Sequence, residues 1–318
     1  MDNDLINNLD MKDVEIFPDN GMWLKGNLHT HTQNSDGKLS PEEVVAKYIE
    51  LGYDFISLTD HRKYIYNKHL QSDGFIVIPG FEVDINPPGK NMCHHIVAVR
   101  SKISDKNYPD SYQFTHSEYK GIETVQEVID DLNAHDNFTF YCHPVWSRLD
   151  TEDFNDVTGL NGLTGMEIFN TGCHLENNTG YSPTHTDDAL RRGKMKYIFA
   201  TDDCHHHKND RGKGYIVAKA DEKSEEGIAD AIIKGRFYSS RGPEIYDFGI
   251  KNNEIYIKCS DVREIHFIAY EPLGCSFAGE KGELRNSASC AVNENWKYAR
   301  AEIVDDNGYQ AWTNPIYF

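Results

Sequence analysis

The chain has 318 residues, of which 39% are hydrophobic, 12% aromatic and 26% charged, which is core-forming matter and argues against a disordered, collagen-like or coiled-coil protein. Its 32 Lys and Arg against 51 Asp and Glu leave a formal charge of −19, which repels a phosphate polyanion and leaves no broad basic footprint for duplex nucleic acid. At roughly 150 residues per domain, the length suits one large domain and a small one.

No run approaches the roughly 20 apolar residues of a membrane span. The start, MDNDLINNLDMKDVEIFPD, is acidic and polar where a signal peptide has a basic end and an apolar middle. The seven cysteines, Cys93, Cys142, Cys173, Cys204, Cys259, Cys275 and Cys290, are odd in number and form no CxxC pair. They are read as reduced thiols, and the protein as cytoplasmic. Histidine is unusually abundant at 15, and all but His266 lie at or before His207. That asymmetry predicts a domain boundary after His207.

In chain order, short β-rich runs alternate with helical segments, the pattern of βα units in a mainly parallel sheet or barrel. Strands are predicted at 23–30, 54–58, 75–79, 95–99, 138–142, 165–169 and 196–200. Ser40-Pro41-Glu42-Glu43 is a capping box with Pro at the first helical position; Val44, Val45, Tyr48 and Ile49 then share a face, and Gly52 is the stop. A second helix is predicted over 121–135, with Val125, Val128, Ile129 and Leu132 inward, and a third over 183–193. A fourth covers 225–234. Beyond residue 246 only strands are legible, at 255–258, 264–270, 298–304 and 309–312, with Asp306-Asn307-Gly308 as a hairpin turn. The expected organisation is an N-terminal extension (1–20), an α/β domain (21–240) and a small all-β sandwich (246–318).

His29-Thr30-His31 closes the first predicted strand, and alternate strand residues share a face, so both imidazoles can grip one cation. Alone this is a weak signal. The layout recurs, however, as Thr59-Asp60-His61, Gly80-Phe81-Glu82, His143-Pro144 and Asp203-Cys204-His205 follow later apolar runs. Metal ligands at the carboxyl ends of strands are where α/β folds assemble their sites.

His29-x-His31, Ser35-Asp36-Gly37, Thr59-Asp60-His61, Gly80-x-Glu82, His95 before an apolar strand, His143-Pro144 and Asp203-x-His205 together resemble, in order, the motifs of the PHP (polymerase and histidinol phosphatase) family. The resemblance covers roughly residues 21–210, and the tail, through Gly235-Arg236, Gly242-Pro243 and Ala311-Trp312-Thr313-Asn314-Pro315, resembles a β-sandwich appended to some members. It implies a distorted (βα)7 TIM-like barrel and a centre of two or three divalent metal ions (Zn, Mn or Fe) that hydrolyses phosphoesters. Carried over by position, His29, His31, Glu82 and Asp203 would hold one ion, Asp36, His61 and His205 a second, and His95 and His143 a third shared with Glu82. His95 is chosen over His94 because it directly abuts the apolar run. Asp60 and Asp202 either orient ligands or cap loops. His206 and His207 are read as surface residues, and His69, His116, His135, His174 and His185 have no place in the pattern.

The resulting expectation is a metal-dependent phosphoesterase hydrolysing a small phosphomonoester through a hydroxide shared by two ions. Asp36, Asp203 and His205 act at the reacting centre, and Arg62, Arg148 and Arg211 are candidate phosphate clamps. Arg62-Lys63 departs from the acidic residue that often follows Thr-Asp-His in the family. The alternatives are a carboxylic ester, carbamate or amide hydrolase on the same centre, a phosphodiesterase or exonuclease, and a non-catalytic binding module. The expected partner is a small phosphorylated substrate, with neither membrane nor duplex nucleic acid.

Overall fold

The computed structural model of the chain describes residues 12–207, 209–272, 274–280 and 282–318; of the N-terminal extension, residues 1–11 lie outside them. The chain divides into two compact units, one of Asn20–Ser239 and one of Ser240–Phe318 together with the described residues up to Asp19.

The strand β1 (Val14–Glu15) belongs to the second unit. The first unit opens with β2 (Met22–Asn27), α1 (Pro41–Glu50), β3 (Phe55–Leu58), β4 (Lys63–Ile65), β5 (Ile76–Ile85), β6 (His94–Arg100) and β7 (Ser111–Gln113). It continues with α2 (Ile122–Ala134), β8 (Asn137–Tyr141), α3 (Thr151–Gly159), β9 (Gly165–Asn170), α4 (Thr171–Asn177) and α5 (Pro183–Arg191). It ends with β10 (Tyr197–Thr201), β11 (Tyr215–Ala220), α6 (Glu225–Ile233) and β12 (Phe237–Ser240).

The ladder in this unit runs β10-β9-β8-β6-β5-β3-β2-β11-β12. Pairs β2–β3, β3–β5, β8–β9 and β9–β10 are parallel, whereas β5–β6, β6–β8 and β2–β11 are antiparallel. The sheet is therefore mixed rather than mainly parallel. Nor is a closed barrel formed: among the described residues no continuous ladder returns from β10 to β2. The segments beyond these two strands meet at a single isolated bridge, Thr30 with Cys204, flanked by Asp203 N–H to His29 O (2.8 Å) and His31 N–H to Cys204 O (2.9 Å).

Pro79-Gly80 reads as a strand terminator, yet β5 passes straight through it. The strand changes partner there: up to Pro79 it pairs with β3, and from Gly80 onward it pairs with β6. A side chain at residue 80 would collide with Ser57 Oγ (2.3 Å) and Ala98 O (2.8 Å), so close strand packing, not a turn, requires the glycine. Because β6 runs antiparallel, its amino end lies level with the carboxyl ends of its neighbours. His95 thus faces Asp84 in the register.

The helices follow their local signals. Ser40 accepts the Glu43 N–H (3.3 Å) while Glu43 accepts the Ser40 N–H (2.9 Å), and Val44, Val45 and Tyr48 are buried, although Ile49 is 47% exposed. The helix α2 buries Val125, Val128, Ile129 and Leu132. Two helices carry too little apolar periodicity to be read in advance: α3 offers Phe154, Val157 and Thr158 to the core behind the Asp150 cap, and α4 is a two-turn segment capped by Asn170. Among the described residues, no helix is long and apolar enough to cross a membrane.

The second unit holds β13 (Ile245–Lys251), β14 (Glu254–Val262), β15 (Glu264–Ala269), β16 (Cys275–Ala278), β17 (Arg285–Ala291), β18 (Tyr298–Val304), β19 (Gln310–Thr313) and β20 (Ile316–Tyr317). One sheet has the order β1-β13-β14-β17; in the other β18 pairs with β19, β15 and β20, and β15 with β16. Alternation along β14 and β15 turns Ile255, Ile257, Ile265 and Phe267 inward, as the period-two pattern requires. Gly308, with φ of +84°, closes the β18–β19 turn. One expectation fails here: Cys275 and Cys290 form a disulfide. Cys275 on β16 and Cys290 on β17, 15 positions apart, belong to different sheets of this unit, so the bond depends on how the two sheets face one another, which the sequence spacing of the thiols does not signal.

At the end of β6 remote from His95, Arg100 forms a two-pronged ion pair with Glu225 at the start of α6, including Nη2 to Oε2 at 2.6 Å; both residues are buried. Replacing Glu225 with Ala leaves a buried guanidinium unpaired and is expected to cost about 3–5 kcal/mol. Equilibrium urea unfolding measures this, and a loss below about 1 kcal/mol would contradict the role assigned to the pair.

Candidate metal centre

Glu82 is the hub of the first unit. It lies in mid-strand on β5 and is 1% exposed. Its carboxylate meets five imidazoles: His95 Nδ1 (2.8 Å), His61 Nδ1 (3.1 Å), His29 Nε2 (3.3 Å), His31 Nε2 (3.3 Å) and His143 Nε2 (3.4 Å). Asp203 adds a second carboxylate, 3.1 Å from His31 Nε2, 3.3 Å from His29 Nε2 and 3.7 Å from His205 Nδ1. Asp36 closes the outer side at 3.4 Å from His205 Nε2 and 3.6 Å from both His31 Nδ1 and His61 Nε2. All nine side chains named from the sequence motifs are brought into one cluster.

The donor set fits cations. His29 Nε2, His31 Nε2, His61 Nδ1 and Asp203 Oδ1 are buried without a hydrogen-bond partner, an arrangement that normally costs free energy unless something else satisfies the atoms. Ligands at about 2.0–2.2 Å around a tetrahedral ion sit roughly 3.3–3.6 Å apart, close to the 3.3 and 3.1 Å that separate Asp203 Oδ1 from His29 Nε2 and His31 Nε2. Three-residue or larger groupings include His29–His31–Asp203, His31–Asp36–His61–His205 and His61–Glu82–His95. They share members, so a cluster of more than one ion fits better than a lone one.

Charge is already balanced toward cation binding. Burial works against a proton on His29 and His31, but the Asp203 and Glu82 carboxylates outweigh it and raise both imidazoles, His31 to about 9. Burial would likewise raise Glu82, yet His95, His29 and His61 hold it well below the usual carboxylate range. A divalent ion entering such a site displaces protons from the imidazoles it binds.

Backbone geometry is bent to make the cluster. His143 has φ of +27° and Asp203 +47°, conformations that cost about 1–3 kcal/mol for a non-glycine residue. Gly172 of α4 allows the close approach at Asp203: a Cβ there would lie 2.5 Å from Asp203 O, and its N–H donates to Asp202 O at 2.8 Å. His29 and His31 do not sit on a strand, because β2 ends at Asn27. The Thr30–Cys204 bridge keeps this segment extended.

The other candidates fall outside the cluster. Arg62 is committed to Asp84 through Nε (2.8 Å) and Nη2 (2.6 Å). Arg148 is exposed, and neither it nor Arg211 lines the cavity over the cluster; the expected phosphate clamp is not assembled by these arginines. His94 turns away to the Tyr141 hydroxyl (2.9 Å), and burial lowers it to about 4. His207, read from sequence as a surface residue, lines the cavity. His69, His116, His135 and His185 pair with Glu42, Asp84, Tyr108 and Phe154, and His174 packs against Phe169 and Tyr181. Asp60 holds the loop of Thr32 and Ser35 through bonds of 2.7–3.2 Å. Asp202 accepts from Tyr48, Thr171 and the Gly212–Gly214 backbone, so both serve the loops.

Sequence reasoning missed Glu167 on β9. It is fully buried and accepts from or pairs with His29 Nδ1 (2.8 Å), the His143 N–H (2.9 Å), Asn170 Nδ2 (2.9 Å) and the Thr201 hydroxyl (2.6 Å). The available signal was a lone carboxylate inside the apolar run Met166-Glu167-Ile168-Phe169. Holding His29 Nδ1 directs Nε2 toward Glu82 and Asp203, the usual carboxylate–histidine support for a ligand.

A mixed α/β unit with buried imidazoles and carboxylates gathered around Glu82 of β5 is the class that fold and site define. Residues 27–160 match the PHP domain model. No curated protein sequence matches it. Among solved structures, similarity extends to a two-domain protein containing a predicted PHP-like metal-dependent phosphoesterase from Bacteroides vulgatus, at 17% identity and TM-score 0.48, covering 96% of this chain and 97% of that one. A candidate metal-dependent phosphoesterase from Bifidobacterium adolescentis is similar at 15% identity and TM-score 0.40, over 59% of this chain and 89% of that one. An amidohydrolase from Chromobacterium violaceum with bound sulfate and no metal is similar at 13% identity and TM-score 0.41, over 58% and 89%.

Glu167→Gln keeps the shape but weakens the hold on His29, and is expected to lower metal affinity about 10–100-fold. Competition with a chromogenic chelator measures it, and unchanged affinity would show that Glu167 has no supporting role.

Proposed function

We propose that this chain is a metal-dependent phosphoesterase acting on a small phosphomonoester. The observation that carries the proposal is the buried hub, in which Glu82 and Asp203 face imidazole nitrogens that make no hydrogen bond. The PHP domain match over residues 27–160 supports phosphoester hydrolysis on such a hub.

His29, His31, Glu82 and Asp203 would hold one ion, Asp36, His61 and His205 a second, and Glu82 with His95 and His143 a third; Zn, Mn and Fe suit mixed imidazole and carboxylate donors. Divalent ions bound there supply positive charge for the phosphoryl oxygens and lower the pKa of water. The chain's own residues set up the rest. Asp36 and His205, both on the cavity wall and partly exposed, would hold their ion at the side of the centre that meets solvent and substrate. Six imidazoles and three carboxylates amount to about −3, so two or three divalent ions leave a positive pocket in a chain whose total is −19. The Thr30–Cys204 bridge also supports reading the sheet as a distorted barrel whose ligands ring one mouth.

Asp203→Ala removes a carboxylate shared by His29, His31 and His205 and is expected to lower phosphatase turnover by at least about 10³-fold. The assay is release of inorganic phosphate from a phosphomonoester panel by protein loaded in turn with Zn, Mn and Fe. Chelator treatment should abolish the activity and re-addition of metal restore it. Cleavage of carboxylic esters but of no phosphoester would replace this reading by the carbonyl-hydrolase one.

A further inference from the structure

The cavity over the hub, about 450 Å³, is larger than a phosphoryl group needs, and its remaining wall has a distinct character. Trp146, Leu175, Glu176 and Cys173 line it beside the hub residues. No Lys or Arg lines it among the described residues.

Trp146 is held in place from two sides. Its ring stands edge-on to His143 (centroids 4.9 Å, 74°) and to His95 (5.7 Å, 62°), so it borders the metal ligands directly. From the other side its indole N–H donates to Glu176 Oε2 at 2.7 Å. This bond fixes the indole orientation and brings a carboxylate from α4 to the rim. An ester whose phosphoryl group sits at the centre formed around Glu82 and Asp203 can place its leaving group against an aromatic ring backed by a negative charge. Flat groups gain from stacking and cationic ones from the ring and the carboxylate together, whereas an added anion is repelled.

Resting on the phosphoesterase reading above, we propose that Trp146 and Glu176 select the leaving group, favouring small phosphoesters with a planar leaving group that is neutral or carries an amine, and rejecting those with a further negative charge.

Three phosphonates that cannot be hydrolysed test the selection: phenylphosphonate, its 4-aminomethyl derivative and its 4-carboxy derivative, titrated calorimetrically into the metal-loaded full chain. The 4-aminomethyl compound is expected to bind at least tenfold more tightly than the 4-carboxy compound. Glu176→Gln should narrow that ratio to less than threefold. Trp146→Ala should weaken phenylphosphonate about tenfold while leaving methylphosphonate within twofold, and Trp146→Phe, which keeps a ring, should recover most of the loss. Metal content measured on each variant separates lost selection from a damaged hub. Equal or absent binding of the three aryl compounds, preference for the 4-carboxy one, or ratios unmoved by Glu176→Gln would overturn the proposal. Because binding is read without turnover, failure to cleave any phosphate ester sinks the phosphoesterase reading alone. Cleavage accompanied by a preference for anionic leaving groups sinks only this inference.

Discussion

The carboxylate of Glu82 is the constraint around which the first unit is arranged. A buried carboxylate is costly unless opposite charge surrounds it, and here five imidazoles from four separate segments converge on its two oxygens. Each imidazole needs a second support so that its free nitrogen points inward. Glu167 holds His29 from behind, and the Thr30–Cys204 bridge sets the course of the backbone between His29 and His31. Tolerating a hub of this kind demands that the surrounding sheet deliver its segments to one level.

That requirement explains the departures from regular βα architecture. Glu82 can lie at the hub only because β5 continues past Pro79-Gly80 to a new, antiparallel partner, and His95 reaches the same level because β6 runs the opposite way. The positive φ at His143 and Asp203 and the bare Cα of Gly172 are local costs of the same convergence. The Arg100–Glu225 pair fastens the other end of β6 to α6, away from the hub.

Electrostatically the molecule separates its roles. The chain is strongly acidic overall, while the hub concentrates imidazoles and committed carboxylates whose natural complement is a group of divalent cations. The rest of the cavity wall holds Trp146, Leu175, Glu176, Asp210 and His207, with no lysine or arginine among the described residues. Phosphate affinity would then come from the hub and discrimination from the wall, a division in which binding and specificity depend on different side chains.

Much of this was legible in the order of residues. The capping box at Ser40, the apolar face of α2 and the turn at Gly308 are local, and short-range physics determines them. Paired motifs such as His29-x-His31 and Asp203-x-His205 announce ligands because those residue types rarely recur at strand ends by accident. What the order of residues does not carry is direction and distance. The strand that passes through Pro79-Gly80, the open ladder in place of a closed barrel, the Cys275–Cys290 pairing and the commitment of Arg62 to Asp84 each depend on which segments become neighbours. Glu167 and Trp146 belong there too, since neither sits in a motif and each takes its meaning from a partner dozens of positions away. Local sequence encodes propensity and chemical type; contacts between remote segments arise only when burial of the whole core selects one pairing of strands.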